Sequence, residues 1–242
     1  MNFRGGLQLR RNLVNADSFL SDMSAGLTRQ HAVDLAAEIL PVYHTKGGIF
    51  FFEGQAATGV FLLRTGRAKE SVTSNTGKTA ITRVVGPGVM LGLSAILTDA
   101  PYEATVETLE TTRADYIRKS AFLNFLKISS QLNQMVAKQL SRSCKEAYGT
   151  IRCLGASDSV AERIARLLIQ WSECPLPKQN RNTVGTRILV TLTHEEIGQS
   201  VGSTRETTTR ILGELRKKEW ITVNGSIWTI TNEDAIRRLA AV

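Results

Sequence analysis

The chain has 242 residues, 42% hydrophobic side chains and a formal net charge of +8 at pH 7. This length allows one large or two modest domains with hydrophobic cores, and the composition is that of a globular protein. No apolar run approaches the ~20 residues of a membrane-spanning helix, and the N-terminus lacks the apolar core of a secretory signal. We therefore expect a cytoplasmic protein without a membrane partner. The positive charge favours a polyanionic partner.

The sequence contains no pattern that indicates an enzyme. Nucleophile-elbow and P-loop motifs are absent, and no His/Cys/Asp group has metal-ligand spacing. Cys144, Cys153 and Cys174 are too far apart for a CxxC site and form no disulfide framework. We expect inert thiols, with an intersubunit redox bridge between Cys144 and Cys153 as the alternative.

The N-terminal half begins with a polar, basic stretch. Residues 1–24 are expected to form an extension, and the pattern from Leu27 to Leu40 predicts a helix that ends at Pro41. From Val42 to Ile117 the texture changes to short strand-like runs, with NTGK as a hairpin turn and GPG as a corner. This spacing predicts a small antiparallel barrel or jelly roll within an effector domain at 25–126.

A long helix is predicted from Ala121 to about Leu154, with residues 127–157 serving for dimerisation and as a hinge. Its apolar residues recur at spacings of three, four and seven. These residues are Leu132, Met135, Val136, Leu140, Ala147, Ile151 and Leu154. Pairing with the same helix of a second chain would bury this stripe, and packing on the chain's own barrel is the alternative.

The last part of the chain, 158–242, combines helices with a hairpin. Ser157 or Asp158 is expected to cap the helix VAERIARLLIQW, and residues 187–192 alternate like a strand. The run ITVNGSIWTI predicts a hairpin with Asn224-Gly225 in a type I′ turn, and a last helix follows. The fold class is therefore α+β, and this part reads as a winged helix-turn-helix.

The stretch LTHEEIGQSVGSTRETTTRILGELRKKEWI reads as two short helices joined by a tight turn. Thr193 and Glu196 form a capping-box pattern, Gly202 breaks the first helix, and Ser203 or Thr204 caps the second. On a helical wheel, four polar residues fall on one face and Ile211, Leu212 and Leu215 on the other. The four polar residues are Arg205, Glu206, Thr209 and Arg210.

This distribution suits a helix whose polar face lies in the major groove of DNA. Arginine can bond guanine through O6 and N7, and glutamate can accept a hydrogen bond from cytosine N4. We therefore predict that Arg205, Glu206, Thr209 and Arg210 read bases. Phosphate contacts are predicted for Ser203, Thr204, Lys217 and Lys218, and the alternative is a solvated charged hairpin.

The segment EIGQSVGSTRETTTRIL resembles the helix-turn-helix of the cAMP receptor protein/FNR (Crp/Fnr) family of bacterial transcription regulators. In this resemblance Arg205, Glu206 and Arg210 occupy base-reading positions, and Thr204 replaces the usual serine. FFEGQAATGVFLLRTGRAKE and GPGVMLGLSAI are similar to the double-stranded β-helix of the cyclic-nucleotide-binding domain and to its phosphate cassette. The resemblance implies a homodimer on a near-palindromic operator with half-sites close to TGTGA, and RNA polymerase as a candidate partner.

Members that bind cAMP carry a glutamate after the cassette glycine and an Arg-Ser or Arg-Thr pair about ten residues later. Here Leu93 follows Gly92, and the later positions are Tyr102, Glu103 and Ala104. Ala147 and Tyr148 are expected where those members present two hydroxyl residues to the base. A carboxylate near the phosphate position would repel the ligand, so cAMP is not expected to bind through the usual contacts.

The resemblance to this family also suggests other sensors. An iron–sulfur cluster is not expected because residues 1–143 contain no cysteine, and a haem is not expected because His31 and His44 are lone histidines. No cofactor is therefore predicted. Sequence-specific DNA binding is the leading hypothesis, and the alternative is a ligand- or partner-binding signalling module whose helix-turn-helix no longer reads DNA.

Overall fold

The computed structural model describes residues 33–34, 36–155, 159–172 and 185–240, without the side chains of 149–155. The chain divides into two compact units, Met1–Ala147 and Tyr148–Val242. The predicted extension at 1–24, His31, Ser157, Asp158 and Cys174 lie outside the described residues, as do the side chains of Ile151, Cys153 and Leu154. None of the described helices has the length and apolar character needed to cross a membrane.

The first unit contains two four-stranded antiparallel sheets. One has the order β1-β8-β3-β6 and the other the order β2-β7-β4-β5. The strands are β1 (Ile39–His44), β2 (Ile49–Phe51), β3 (Gly59–Thr65), β4 (Ala68–Thr73), β5 (Thr79–Val85), β6 (Met90–Leu91), β7 (Thr105–Thr108) and β8 (Thr112–Arg118). Alternate residues of these strands fill the space between the sheets, including Phe51, Leu63, Val106 and Ala114. The predicted jelly-roll architecture is confirmed.

Besides the helical residues 33–34 and 36–37, the described part of this unit contains two further helices and the beginning of a third. They are α1 (Leu93–Thr98), α2 (Lys119–Ile128) and α3 (Ser130–Gly155), and the boundary between the two units falls within α3. A second apolar cluster joins the outer face of β3 to α2 and to the first turns of α3, with Leu62, Phe122 and Leu132 fully buried. The barrel therefore has helices packed on one of its faces.

The predicted helix from Leu27 to Leu40 is wrong at its C-terminal end. Ile39 and Leu40 begin strand β1, and Pro41 lies within this strand opposite Asp115. A proline cannot donate a ladder hydrogen bond, but β1 is an edge strand of its sheet, where proline is tolerated. Pro41, which the sequence analysis interpreted as the end of a helix, is therefore part of an edge strand.

The single long helix predicted from Ala121 is interrupted at Ser129. This residue has an extended conformation (φ −117°, ψ 101°), and its backbone N–H bonds to the carbonyl of Phe125 at the end of α2. The Ser129 hydroxyl accepts from the N–H of Leu132 at 3.1 Å and so caps α3. The apolar periodicity continues across the break, which is why the pattern did not reveal it.

Assignment of the whole apolar stripe of α3 to a dimer interface is also incorrect. Leu132 and Val136 are buried in the chain's own second cluster, and Met135 and Leu140 pack against it. These side chains already have a partner on the barrel, as the alternative interpretation proposed. Ala147, further along the stripe, is exposed.

The second unit contains four helices and one antiparallel sheet of three strands, in the order β10-β11-β9, within its described residues. Its helices include α4 (Val160–Ser172), α5 (His194–Val201), α6 (Arg205–Lys217) and α7 (Glu233–Leu239), and its strands are β9 (Thr186–Leu189), β10 (Ile221–Asn224) and β11 (Ile227–Ile230). Ser159, rather than Ser157 or Asp158, caps α4, because its hydroxyl accepts from the N–H of Glu162 at 3.2 Å.

The predicted hairpin is present, but its turn differs. Asn224 pairs with Ile227, so the two turn residues are Gly225 and Ser226. Gly225 has φ 58°, whereas Ser226 has no positive φ. A type I′ turn needs positive φ at both positions, so the arrangement matches the glycine placement of a type II′ turn.

Candidate nucleic-acid interface and barrel pocket

Helix α5 begins and ends at the residues that the sequence predicted. The Thr193 hydroxyl accepts from the N–H of Glu196 at 3.2 Å, and the Glu196 carboxylate accepts from the N–H of Thr193 at 2.7 Å. Gly202 ends the helix with φ 63°, a conformation that costs glycine little. Arg163 of α4 donates to the carbonyls of Val201 and Gly202 at 2.7 and 3.4 Å, so a third helix holds this turn in place.

The two helices of the motif cross at Gly198. A Cβ atom at this position would lie 2.9 Å from the carbonyl oxygen of Ser203 and 3.1 Å from Oγ1 of Thr208. Only a residue without a side chain permits this approach. Gly198 therefore fixes how closely α5 and α6 pack.

Helix α6 has the two faces predicted for it. Thr204 is the N-cap and accepts from the N–H of Thr207 at 3.2 Å. Ile211, Leu212 and Leu215 are buried against the rest of the domain. Arg205, Glu206, Thr209 and Arg210 are all exposed on the opposite face. One face is thus anchored, and the other is available to a large ligand.

The exposed side chains of α6 have defined local contacts. Arg210 forms an ion pair with Glu214, one turn later, at 2.7 Å. The backbone N–H of Glu206 and the Thr204 side chain hold the pKa of the Glu206 carboxyl below its usual value. Thr209 Oγ1 lies 2.9 Å from Nδ1 of His194, at the start of α5. Sequence reasoning missed His194, because spacing within one helix does not reveal contacts between helices.

The predicted phosphate-contacting residues lie at opposite ends of α6. Thr204 is exposed at the N-terminus and Ser203 is half-buried beside it, whereas Lys217 and Lys218 are exposed at the C-terminus. Arg205 and Lys217 are roughly 18 Å apart along the helix axis, from the helical rise of 1.5 Å per residue. Lys218 also places Nζ 4.8 Å from the Trp220 ring. The two ends therefore cannot contact the same phosphate.

The barrel contains a pocket beside helix α1. Its volume is about 130 Å³, and its lining includes Gly92, Leu93, Glu103 and Ala104 from the predicted effector site. Gly92 precedes α1 with φ 77°. Five polar residues that the sequence did not indicate also line the pocket: Glu70, Arg83, Ser94, Gln139 and Ser143.

Hydrogen bonds of the pocket's polar side chains connect β4, β5, β6 and α3. Nε and Nη2 of Arg83 donate to the two carboxylate oxygens of Glu70 at 2.6 and 2.9 Å. Nη1 of Arg83 donates to the Ser143 hydroxyl of α3 at 2.9 Å and lies 3.6 Å from Glu146. Gln139 accepts from the N–H of Met90 at 2.9 Å and donates to its carbonyl at 2.6 Å. Helix α3 is therefore tied to the barrel across the pocket.

Comparisons with known proteins agree with both halves of this architecture. The family model of the cyclic nucleotide-binding domain matches residues 41–129, and that of the Crp-like helix-turn-helix domain matches residues 162–239. The chain belongs to the Crp/Fnr family. Members of this family among its relatives are DNA-binding transcription regulators, not enzymes.

Several relatives of this Crp/Fnr member align over most of its length. It is 24% identical over 208 residues to the CRP-like cAMP-activated global transcriptional regulator of Mycobacterium tuberculosis, covering 85% of this chain and 90% of the relative. It is 26% identical over 197 residues to the fumarate and nitrate reduction regulatory protein of Vibrio cholerae, covering 81% and 77%. The structure of FixK2 from Bradyrhizobium japonicum has a TM-score of 0.74 at 18% identity, covering 84% and 98%, which shows a shared fold.

Three residues assigned to the effector pocket of this Crp/Fnr member do not line it. Tyr102 is buried in the barrel core, where it stacks on Phe51 at 3.8 Å between ring centroids and donates to the carbonyl of Gly59. Ala147 and Tyr148 are exposed on α3. The residues of α3 that line the pocket are Gln139, Leu140 and Ser143, of which Ser143 lies four positions before Ala147. The expectation that Ala147 and Tyr148 face the ligand site is therefore wrong by about one helical turn.

The described residues also include histidine and cysteine side chains that were considered as ligands or redox groups of other sensors. No group of three or more potential metal ligands is found within the described part of the chain. His44 packs edge-on against Phe50, with ring centroids 4.7 Å apart, as a structural aromatic contact. Cys144 is a free, exposed thiol on α3.

Proposed function

We propose that the protein is a homodimeric transcription regulator that reads a near-palindromic operator through α6. The main support is the exposed face formed by Arg205, Glu206, Thr209 and Arg210 on a helix anchored by its other face. Two such helices, related by a two-fold axis, enter successive major grooves about 34 Å apart. The half-site expected from the family resemblance is close to TGTGA.

Helix α3 supports the proposed dimer beyond its contacts with the barrel. Ala147 is exposed and continues the apolar stripe of this helix, and the exposed Cys144 and Tyr148, one turn apart, lie beside it. Tyr148 is 68% exposed. Pairing of α3 with its counterpart in a second chain would cover these residues.

We further propose that the barrel does not bind cAMP through the contacts used by cAMP-binding relatives. The pocket of about 130 Å³ is below the few hundred Å³ of typical ligand sites. Its arginine, Arg83, is already bonded to both oxygens of Glu70. Glu70 and Glu103 add negative charge where an anionic ligand would need donors. We expect DNA binding without added nucleotide.

The test is a titration of purified protein against a palindromic TGTGA-type duplex and a scrambled duplex, with and without cAMP, at about 150 mM salt, where non-specific binding is suppressed. We expect specific binding that cAMP does not change. Binding that appears only with cAMP would contradict the effector proposal, while selection from random DNA without any enriched sequence would contradict the DNA-reading proposal. The latter result would favour the signalling-module alternative.

Single substitutions separate base reading from phosphate contacts. Glu206→Ala should relax preference at one base pair by about 1–3 kcal/mol. Lys217→Ala or Lys218→Ala should weaken binding to all sequences alike and reduce the salt dependence, because phosphate contacts carry no sequence information. A uniform loss for Glu206→Ala would contradict its assignment as a base-reading residue.

A further inference from the structure

His194 connects three elements of the DNA-binding unit. It is the first residue of α5, and its Nδ1 lies 2.9 Å from Oγ1 of Thr209 on α6. Its ring meets Trp228 of β11 edge-on, with centroids 6.4 Å apart and an interplanar angle of 89°. Trp228 is only 4% exposed, so the imidazole contacts a fixed aromatic surface. The ring is therefore held in position on the side of the domain that carries Thr209.

Thr209 is the partner of this histidine and part of the proposed reading face. It is exposed, and it lies on the same side of α6 as Arg205, Glu206 and Arg210. A threonine hydroxyl has one hydrogen to donate and two lone pairs that accept. Whichever role the hydroxyl takes toward His194 restricts what it can offer to a base.

The two hydrogen-bonding arrangements have opposite consequences. If Nδ1 carries no proton, Thr209 donates its only hydrogen to the ring and presents lone pairs, which match the amino groups of cytosine N4 or adenine N6. If Nδ1 carries a proton, the ring donates and the Thr209 hydrogen is free for guanine O6 or N7 or thymine O4. In both cases the contact fixes the rotamer of Thr209.

We infer that His194 is a positioning residue that determines which hydrogen-bonding group Thr209 presents to its base pair. His194 acts through Thr209 and makes no base contact itself. This inference rests on the proposed function, because it requires α6 to lie in the major groove. Base preference at one position therefore depends on a residue outside the helix that reads DNA.

The test compares binding-site selections from random duplex DNA for full-length wild type, His194→Phe, Thr209→Val and the double variant. Phenylalanine keeps a ring against Trp228 but cannot bond to Thr209, and valine keeps the shape of threonine without its hydroxyl. We expect His194→Phe to reduce discrimination at one base pair on the order of fivefold, the value of about one hydrogen bond. The same base pair should be affected by Thr209→Val, and other positions should be unchanged.

The double variant distinguishes positioning from a general structural role. Because His194 acts only through the Thr209 hydroxyl, adding His194→Phe to Thr209→Val should change discrimination by less than about twofold. Thr209→Ser retains the hydroxyl and should remain sensitive to His194→Phe. Arg163→Gln serves as the control, since it disturbs the turn between α5 and α6 without contacting Thr209 and should lower affinity for all sequences equally.

Three results would overturn the inference. The first is an unchanged preference in His194→Phe, and the second is an effect that adds fully to that of Thr209→Val. The third is a uniform loss of affinity with a smaller salt dependence, which would make His194 a phosphate contact. If wild type itself selects no sequence, the proposed function fails and this inference fails with it.

Discussion

At the scale of single residues, neighbouring threonines of α6 have opposite environments. Thr208 is fully buried, and its hydroxyl has no hydrogen-bond partner within the described residues. Thr209 is exposed and bonded to His194. A buried hydroxyl without a partner loses its hydration and gains nothing in return. The sequence TTT at 207–209 therefore combines a half-buried residue, a destabilising buried one and a member of the reading face.

Thr208→Val should stabilise the DNA-binding unit. Valine has nearly the same shape and removes the unpaired hydroxyl, so we expect a gain of about 1 kcal/mol in the free energy of unfolding. Denaturant titration followed by circular dichroism measures this change, and Thr209→Val, which removes a bonded hydroxyl, should not show the same gain. DNA preference should be unaffected by Thr208→Val. A clear destabilisation would indicate that the hydroxyl has a partner, such as an ordered water.

Glu206 should act as a carboxylate under all ordinary conditions. The backbone N–H of Glu206, followed by the Thr204 side chain, lowers its pKa from the usual 4.5. A lowered pKa means that its ionised form is favoured in the fold, and this contribution is lost only as pH falls through the folded pKa. Base preference at the Glu206 position should therefore be the same at about pH 5.5 and 7.5.

Selections at those two pH values measure this preference, and Glu206→Gln is the neutral control. The glutamine variant should differ from wild type at both pH values, because an amide can donate where the carboxylate only accepts. A wild-type preference that moves toward the glutamine pattern at the lower pH would show that the carboxyl titrates in this range.

At the scale of elements, replacing each of two helical glycines by alanine should change the free energy of unfolding in opposite directions. Gly198 lies where α5 and α6 cross, and a Cβ there would come within 2.9 Å of the Ser203 carbonyl oxygen. Gly213 lies within α6, and a Cβ there would meet nothing within 4 Å. Close packing makes the first substitution unfavourable, whereas helix propensity makes the second favourable.

Gly198→Ala should lower the free energy of unfolding by roughly 1–3 kcal/mol, because the backbone of the turn must move. Gly213→Ala should raise it by about 0.5–1 kcal/mol, since alanine restricts the unfolded chain and favours a helix. Thermal unfolding of the two variants in parallel measures both effects. Equal effects of the same sign would contradict the packing described at Gly198.

The pocket network of the barrel gives a second prediction at this scale. Arg83 and Glu70 are mostly buried, with 23% and 14% of their side chains exposed. Arg83→Met should lower the free energy of unfolding by roughly 2–3 kcal/mol, because it leaves Glu70 without its cation. This loss is somewhat smaller than that expected when one partner is removed from a fully buried pair. The double variant Arg83→Met/Glu70→Met should recover most of this loss, since no isolated charge remains.

Chemical denaturation of the two variants measures these changes. If cAMP binding depends on Arg83, contrary to the proposal, calorimetry of wild type would detect binding that Arg83→Met abolishes. If the double variant is less stable than Arg83→Met alone, an unpaired Glu70 carboxylate is not the cause of the loss.

At the scale of the whole molecule, the proposed dimer depends on the exposed part of α3. Ala147→Glu places a negative charge on the face that continues the apolar stripe, and Tyr148→Glu places one beside that face, where pairing would bury them without partners. Sedimentation velocity should show a shift from dimer to monomer at micromolar concentration. Lys138→Glu is the control for Ala147→Glu, because Lys138 is exposed on the side of the helix opposite Ala147 and should leave the dimer intact.

A monomeric wild type would contradict the proposal of a dimer directly. If Lys138→Glu also dissociates the protein, the interface lies elsewhere on α3. If the two charged variants remain dimeric, residues 147–148 do not belong to the interface, and the two-fold arrangement of α6 must have another origin.

The sequence by itself determined the elements whose signals are local. The Thr193–Glu196 capping box, the αL glycine at 202, the cap at Thr204 and the division of α6 into two faces depend only on residues a few positions apart. The jelly-roll strands were likewise visible, because their alternation and turns recur at short spacing. Local hydrogen bonds and side-chain periodicity make such features readable without any tertiary contact.

Only the tertiary structure decided the features that depend on partners distant in the chain. Pro41 lies in an edge strand opposite Asp115 of β8, and this pairing partner is not visible in the local sequence, where proline usually indicates the end of a helix. In the folded chain, Leu132 and Val136 are buried in an apolar cluster of the barrel. Ser143 accepts a hydrogen bond from Arg83, which lies 60 positions earlier in the sequence. His194 reached Thr209 in the same way. The type of a residue indicates which kind of contact it makes, but the contacting residue is determined only by the folded chain.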